Sequence, residues 1–473
     1  MTLRRGENLS GEDDRRMNLR GKIAFGIGAA GKDMVYSLTA YYLMYYYQDV
    51  LGLNPTFVGL ILMIARIFDA LNDPFMGVVV ARTRTRWGRF RPWLLSGSVL
   101  NAFVLYALFA APAGEEAGIM VWFTVVYLLW GITYTMLDIP FWSMIPAVAE
   151  TSREREHLAV VGRACAGLGG AVIIVSATMA VGWLGGGSER EGFRLLALIV
   201  SVLFLIAELI CCLFMKERRH TEMKTGRIRD MFRALFRNDQ ALTVSATIIL
   251  VNLSMYLTSN LLIYFFKYDF GGAGWRAGMT LFTTIGGVAL ILGMVTLYPL
   301  MRKRRFSNER IFLLSVWTAV SGYVIMLLLC LSGLYRHLVL LCVPAVLVFA
   351  ANGIMSVQTT VFLANSVDYG ELKTGRRDES MIFSTQTFVV KTASGLAVFL
   401  TGAGLDLIGL TGNAEEVGEI VPQTASALMG LRLMITLLPI LGLLTALVFF
   451  RKRFTLTDEK MTDIAEKLKP KES

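Results

Sequence analysis

Residues 65–77 read ARIFDALNDPFMG, and they lie inside an apolar segment running from about Thr56 to Val80. That segment is long enough to cross about 30 Å of hydrocarbon as a helix. Runs of similar length recur through the 473 residues, of which 55% are hydrophobic and 17% charged. A soluble chain carries about 25% charged residues. The composition therefore predicts an all-α integral membrane protein. It leaves a question for residues 65–77: why a membrane span holds two aspartates, an asparagine and an arginine.

Twelve spans are expected, at about 23–49, 56–81, 93–112, 118–149, 158–186, 194–216, 240–268, 277–300, 310–333, 337–365, 380–409 and 424–450. The net charge of +10 could suggest nucleic acid. The basic residues, however, fall in short loops between spans, where they orient a membrane protein. Loops 82–91, 152–156, 216–237, 302–310 and 373–377 hold 23 Lys and Arg, against a handful in the alternate connections. This asymmetry places those loops and both termini in the cytoplasm and supports an even number of spans. Nucleic acid is not an expected partner; membrane lipid is. The first 22 residues are polar, so a cleavable signal peptide is not expected. The division that follows is a cytoplasmic tail at 1–22, a six-helix bundle at 23–216, a central cytoplasmic loop at 217–239, a second six-helix bundle at 240–450 and a cytoplasmic tail at 451–473.

The two halves echo each other. YYLMYYYQDVLGL at the end of span 1 parallels LLIYFFKYDFGG at the end of span 7, and PAVAETSREREH after span 4 parallels NSVDYGELKTGRRDES after span 10. Internal repeats of this kind build many transporters, with the substrate site between the halves at mid-membrane. An enzyme is not expected. The three histidines (His157, His220, His337) fall in loops or at span ends, and the five cysteines lie in apolar segments without metal-ligand spacing.

Ionised side chains in a bilayer cost roughly 2.5–3.5 kcal/mol or more and normally face the bundle interior. The spans contain Lys32, Asp33, Arg66, Asp69, Asp73, Asp138, Arg163, Glu208 and Lys391, six of the nine in spans 1, 2 and 4. Asp69 and Asp73 share one face of span 2, one turn apart, with Asn72 on its flank. Two carboxylates so close repel, so either one holds a proton or a cation sits between them. Sodium, a hard ion, would take both carboxylates, the amide and a neighbouring hydroxyl. The plainer alternative is that Arg66 neutralises Asp69 and holds the bundle together.

In span 4, Tyr134, Asp138 and Trp142 form one stripe at four-residue spacing, with Thr135 beside Asp138. A carboxylate flanked by aromatics suits a sugar: the acid accepts hydroxyl hydrogen bonds while an indole packs on the ring. The same pattern also fits an aromatic packing face, and Trp142 fits an interface anchor. Lys391, in STQTFVVKTASG of span 11, is the natural counter-charge for an acid. Glu208 has two neighbouring cysteines and receives no role. The loop ARTRTRWGRFRP reads as an orientation signal whose Trp-Gly centre predicts a tight turn packed under the helices, and a cytoplasmic gate.

The stretches KIAFGIGAAGKDMVYSLTAYYLMYYYQDVLGL, ARIFDALNDPFMG, RTRWGRFRPW, YTMLDIPFWSMIPAV, SVDYGELKTGRRDES and STQTFVVK resemble, in register from about residue 21 to 395, the glycoside–pentoside–hexuronide:cation symporters of the major facilitator superfamily. The resemblance implies two six-helix bundles, a bacterial inner (plasma) membrane location, and sodium-, lithium- or proton-coupled uptake of a sugar or glycoside by alternating access, with no other cofactor. It assigns Asp69, Asn72, Asp73 and Thr135 to the cation, with Asp69 and Asp73 as its charged ligands. It assigns Asp33, Asp138, Trp142 and Arg163 to the sugar; Thr387 and Lys391 match span-11 residues that approach both sites. Lys32 and Tyr134, neighbours of these acids, join the expected sugar-site set. The chain departs from the family's melibiose-transporting member at Ala40, where that protein has an aromatic, and at Ser356, where it has a tryptophan. Asn365 stands where an acid is common, which weakens a cytoplasmic gate pairing. The cation set is complete while the sugar pocket is altered. A same-fold transporter of an amphiphile such as a lysophospholipid is the alternative, opposed by the retention of both Asp33 and Asp138.

Overall fold

A computed structural model describes residues 19–148, 152–215, 233, 235–272, 274–374, 379–410 and 421–468. The terminal tails up to residue 18 and beyond 468, most of the expected central loop, and parts of the echoing segments after spans 4 and 10 lie outside the described residues. Among the described residues there is no β-strand, only an isolated bridge between Thr85 and Gly88.

The long helices are α1 (Leu19–Tyr45), α2 (Pro55–Arg82), α3 (Arg91–Phe109), α4 (Glu116–Ser143), α5 (Ser152–Leu184), α6 (Glu189–Phe214), α7 (Asp239–Tyr264), α8 (Trp275–Leu292), α9 (Asn308–Ser332), α10 (Leu338–Thr374), α11 (Glu379–Leu407) and α12 (Ala425–Arg453), followed by the amphipathic α13 (Asp458–Leu468). Eleven of the described helices are long and apolar enough to cross a membrane. The 27-residue α1 stands outside those eleven; Arg20, Lys22, Lys32 and Asp33 lower its apolarity. Helix is the expected form because lipid offers no partner to a backbone N–H or C=O. The starts carry ordinary caps: the side chains of Ser188, Asn238, Ser307 and Thr424 accept from backbone N–H groups of α6, α7, α9 and α12. Gly333 ends α9 at φ 76°, the left-handed region in which a Cβ is unfavourable.

The chain forms two compact units, 1–46 with 72–225, and 47–71 with 226–473. The sequence groups all of 23–216 together; in the structure the start of α2 belongs with the second unit. In the first unit, α1 packs on α5 and α6 at contacts that admit no side chain. A Cβ on Gly169 would lie 2.2 Å from the Ala30 carbonyl oxygen, and one on Gly31 would lie 2.6 Å from the Ala207 Cβ. Helices α3 and α4 are stitched by Asn101, which donates to the Trp130 carbonyl (3.2 Å) and the Thr133 hydroxyl (2.9 Å). In the second unit, α7 packs on α11 and α12, and α10 packs on α8 and α9. Its core gathers Phe312, Tyr323, Phe362 and Phe450.

Both echoing segments end in π-helical turns, Tyr46–Val50 and Phe265–Phe270. Such turns recur at functional sites. Within the second unit they place Asp49, fully buried, against the Lys267 ammonium at 2.5 Å and the Tyr268 hydroxyl. Asp269 accepts a bidentate fork from Arg432 (2.8 and 2.7 Å) and a hydrogen bond from Tyr335 (2.9 Å).

Candidate functional site

Three helices of the first unit build a charged, aromatic-lined cluster. Helix α1 supplies Lys32 and Asp33, α4 supplies Tyr134, Asp138 and Trp142, and α5 supplies Arg163. The four-residue spacing in α4 gives one stripe, and its upper part is a stacked ladder. Ring centroids are 5.8 Å apart for Phe123–Tyr127, 5.7 Å for Tyr127–Trp130 and 5.1 Å for Trp130–Tyr134. The packing-face reading of α4 describes the run from Phe123 to Tyr134.

The Lys32 ammonium lies 2.5 Å from Asp138 Oδ1, 3.3 Å from the Tyr134 hydroxyl oxygen and 3.8 Å from Asp33 Oδ1. It also sits over the rings of Tyr134, Phe141 and Trp142, at 5.2 to 5.6 Å from their centroids. The Trp142 indole N–H donates to the same Asp138 Oδ1 at 3.2 Å, which orients the indole edge. The Arg163 guanidinium also stacks over the Trp142 ring, 4.2 Å from its centroid. Exposure separates the charges. The lysine side chain is 3% exposed, whereas the carboxylates of Asp33 and Asp138 are 29% and 28% exposed. The lysine is thus a buried counter-charge beside two partly exposed acids.

The residues expected to hold the cation are distributed over both units. In the first, Thr135 donates to Asp73 Oδ1 at 3.3 Å, and Asn72 and Asp73 are partly buried. Arg66 and Asp69 belong to the second unit and are buried, 4% and 6% exposed. Within that unit α11 lies close to α2: a Cβ on Gly395 would be 3.1 Å from the Arg66 Cβ. Lys391, one turn before Gly395, is partly buried, while Thr387 is exposed. Among the described residues no three His, Cys, Asp or Glu side chains converge as a metal-holding group.

Two expectations change. The Arg-rich loop does form a tight turn, with Gly88 at φ 103° and the Thr85 hydroxyl donating to the Gly88 carbonyl at 2.6 Å. Trp87, however, is 66% exposed rather than packed under the helices, because the turn carries it outward. The buried charges at the ends of spans 1 and 7 (Asp49, Lys267, Asp269) and Arg432 escaped the sequence reading. They sit at span ends, where charge is ordinary. The available signal was the echo between YYYQDV and YFFKYDF, which fixes both acids at equivalent places.

The cluster brings together carboxylate acceptors, cationic donors and an indole face. Residues 24–458 match the family described as MFS/sugar transport protein, and the chain belongs to that family. The isoprimeverose transporter of Lactiplantibacillus pentosus is 28% identical over 91% of this chain and 88% of its own length. The lactose permease of Lactobacillus helveticus is 27% identical over 95% of this chain and 71% of its own. A putative glycoside/cation symporter of Escherichia coli (strain K12) is 25% identical over 96% and 95%. Among solved structures, a bacterial homologue of the human lysosomal transporter Spinster superposes with a TM-score of 0.64 at 14% identity, covering 94% of this chain and 97% of that one. A nucleoside transporter gives 0.62 at 13%, covering 91% and 100%. The fold is that of the major facilitators. The protein is a multi-pass membrane protein of this sugar-transport family and not an enzyme. These relatives do not favour the amphiphile alternative.

Proposed function

We propose that Asp33 and Asp138 accept hydrogen bonds from the hydroxyls of a glycoside ring, that Arg163 and Tyr134 donate to it, that Lys32 belongs to the sugar site as the counter-charge of Asp138 before the sugar enters, and that Trp142 packs on the ring's apolar face. Lys391 and Thr387 contribute from span 11. The observation that carries this reading is the shared Asp138 Oδ1, held by both the Lys32 ammonium and the Trp142 indole N–H. It fixes an acceptor, a donor and an apolar face within one ring's width, and a pyranose presents the complementary groups. The coupling cation is sodium, lithium or a proton, bound by Asp69 and Asp73 with Asn72 and Thr135 as neutral oxygens. Alternating access carries both solutes inward.

The remaining topology belongs to the same reading. Helix α1 is the twelfth span, despite its charges, because Lys32 and Asp33 face protein rather than lipid. Residues 1–22, 217–239 and 451–473 lie in the cytoplasm between and beyond bundles 23–216 and 240–450, whose apolar outer faces meet lipid.

The test is counterflow of radiolabelled sugar in vesicles, with lactose, raffinose and isoprimeverose as probes because relatives of this chain carry those names. Each is run with sodium, with lithium and with neither. Concentrative uptake of at least one probe that depends on a cation is the expected result. Exchange of none of the three, with uptake of a lysolipid instead, would sink the assignment.

A further inference from the structure

Among the described residues, Glu208 is the one fully buried charged residue of the first unit that the sugar and cation readings leave unused. It lies in α6, is 0% exposed, and among the described residues neither carboxyl oxygen has a hydrogen-bond partner. Its neighbours along α6 press directly on α1: Phe204 and Ala207 close over Gly31, and Cys211 closes over Gly28, where a Cβ would come within 2.9 Å. Glu208 falls between them, on the face of α6 turned toward α1, where Lys32 follows Gly31. The charged groups that act on it are Lys32 of α1 and Asp138 of α4. Cys211 and Cys212 share its helix, and Arg91, at the start of α3, acts on those two thiols. Arg91 is itself turned to the Met215 carbonyl at 2.6 Å.

We propose that Glu208 is a proton-binding site and the second resting place of the Lys32 ammonium, so that a sugar entering against Asp138 expels the Glu208 proton. The proposal rests on the sugar-site reading above. An ionised carboxylate with no donor in a dry site is strongly disfavoured, so Glu208 is neutral while Lys32 rests on Asp138. A sugar hydroxyl that takes Asp138 Oδ1 competes there with Lys32 and the Trp142 indole, which both donate to that oxygen. The indole is held by Arg163 stacked at 4.2 Å, whereas Lys32 is a flexible chain. Once displaced, the 3%-exposed ammonium keeps Asp33, at 3.8 Å, and Glu208 supplies a second anion by ionising. The Glu208 O–H bond breaks, its electron pair stays on the carboxylate, and the proton leaves to water on the exposed side of Asp33 and Asp138. Lys32 keeps its three protons.

Sugar and this proton then oppose one another, reciprocally. Sugar affinity rises with pH by up to about tenfold per unit, the limit for one released proton, and levels off once Glu208 is ionised in the free protein. Gln is isosteric and neutral. In Glu208→Gln, Lys32 stays on Asp138, and affinity remains at the parent's acid-side value at every pH.

Two measurements decide it. Infrared difference spectra of the sugar-free protein, parent minus Glu208→Gln, should show the stretching band of a protonated carboxyl; no such band overturns the proton site whatever the substrate is. Calorimetry of lactose, raffinose and isoprimeverose binding, in two buffers of different ionisation enthalpy, should show one proton released by the parent and none by Glu208→Gln. Sugar bound by the parent with no proton release overturns the hand-over, even if the variant fails to fold. If none of the three sugars binds, the assignment of substrate fails, and the infrared band still decides the site.

Discussion

Asp138→Asn removes a charge without changing shape, and the structure sets the size of its effect. Asparagine keeps an oxygen where Asp138 Oδ1 accepts the Trp142 indole N–H at 3.2 Å, so the indole holds its place. It takes away the anion 2.5 Å from Lys32. Removing one partner of a fully buried ion pair costs about 3–5 kcal/mol. Here Asp138 is 28% exposed, and Asp33 remains 3.8 Å from the ammonium. The stability loss should fall below that range, and the variant should fold. Sugar binding should suffer more specifically. A hydrogen bond from a hydroxyl to a charged acceptor contributes about 1.5–3 kcal/mol, equivalent to about 10- to 150-fold in Kd. Sodium affinity at Asp69 and Asp73 should be nearly unchanged, because neither group touches Asp138 in the assignment. Calorimetric titration of the best-bound probe sugar, and of sodium separately, on parent and variant measures both. If Asp138→Asn binds that sugar as tightly as the parent, the acids of α1 and α4 serve structure alone and the sugar site is misplaced.

Other perturbations test separate parts of the molecule. Trp142→Phe removes the indole N–H that holds Asp138 Oδ1 but keeps a ring beneath Arg163, so the sugar Kd should weaken less than in Asp138→Asn; an equal or larger loss would make the indole the dominant contact. Asp73→Cys should abolish sodium-stimulated sugar binding, whereas Asn72→Ala should shift the preference among sodium, lithium and protons without stopping transport. Wild-type sodium stimulation in purified Asp73→Cys would displace the cation from α2. Lys267→Met strands the fully buried Asp49 and should destabilise the protein by about 3–5 kcal/mol in chemical denaturation, with the double variant Lys267→Met/Asp49→Asn recovering much of the loss; additive losses would mean that the pair is not coupled. Gly169→Ala should lower the unfolding temperature in detergent markedly, because its Cβ would lie 2.2 Å from a backbone oxygen that cannot turn away; parent-like stability there would contradict the α1–α5 packing.

What the chain alone determined was everything carried by composition, run length and linear spacing. Apolar runs of about 20 residues forced helices across a bilayer, since lipid leaves a backbone no other partner. The 3.6-residue period put Tyr134, Asp138 and Trp142 on one face, and rare intramembrane charges marked helices 1, 2 and 4 as the ones to watch. Which charge neutralises which is not a linear property. Lys32 and Asp138 are 106 residues apart and meet only because Gly28, Gly31 and Gly169 let α1 pack closely on its neighbours. That packing left Glu208, without a role in the sequence, buried and unbonded on the α6 face turned toward α1. It also brought Asp49 of one half of the repeat to Lys267 of the other, 218 residues away, although both stand at span ends where charge is unremarkable. Tertiary structure decided these pairings because a low-dielectric interior tolerates a charge only beside its partner, and the partner is chosen by which helices touch.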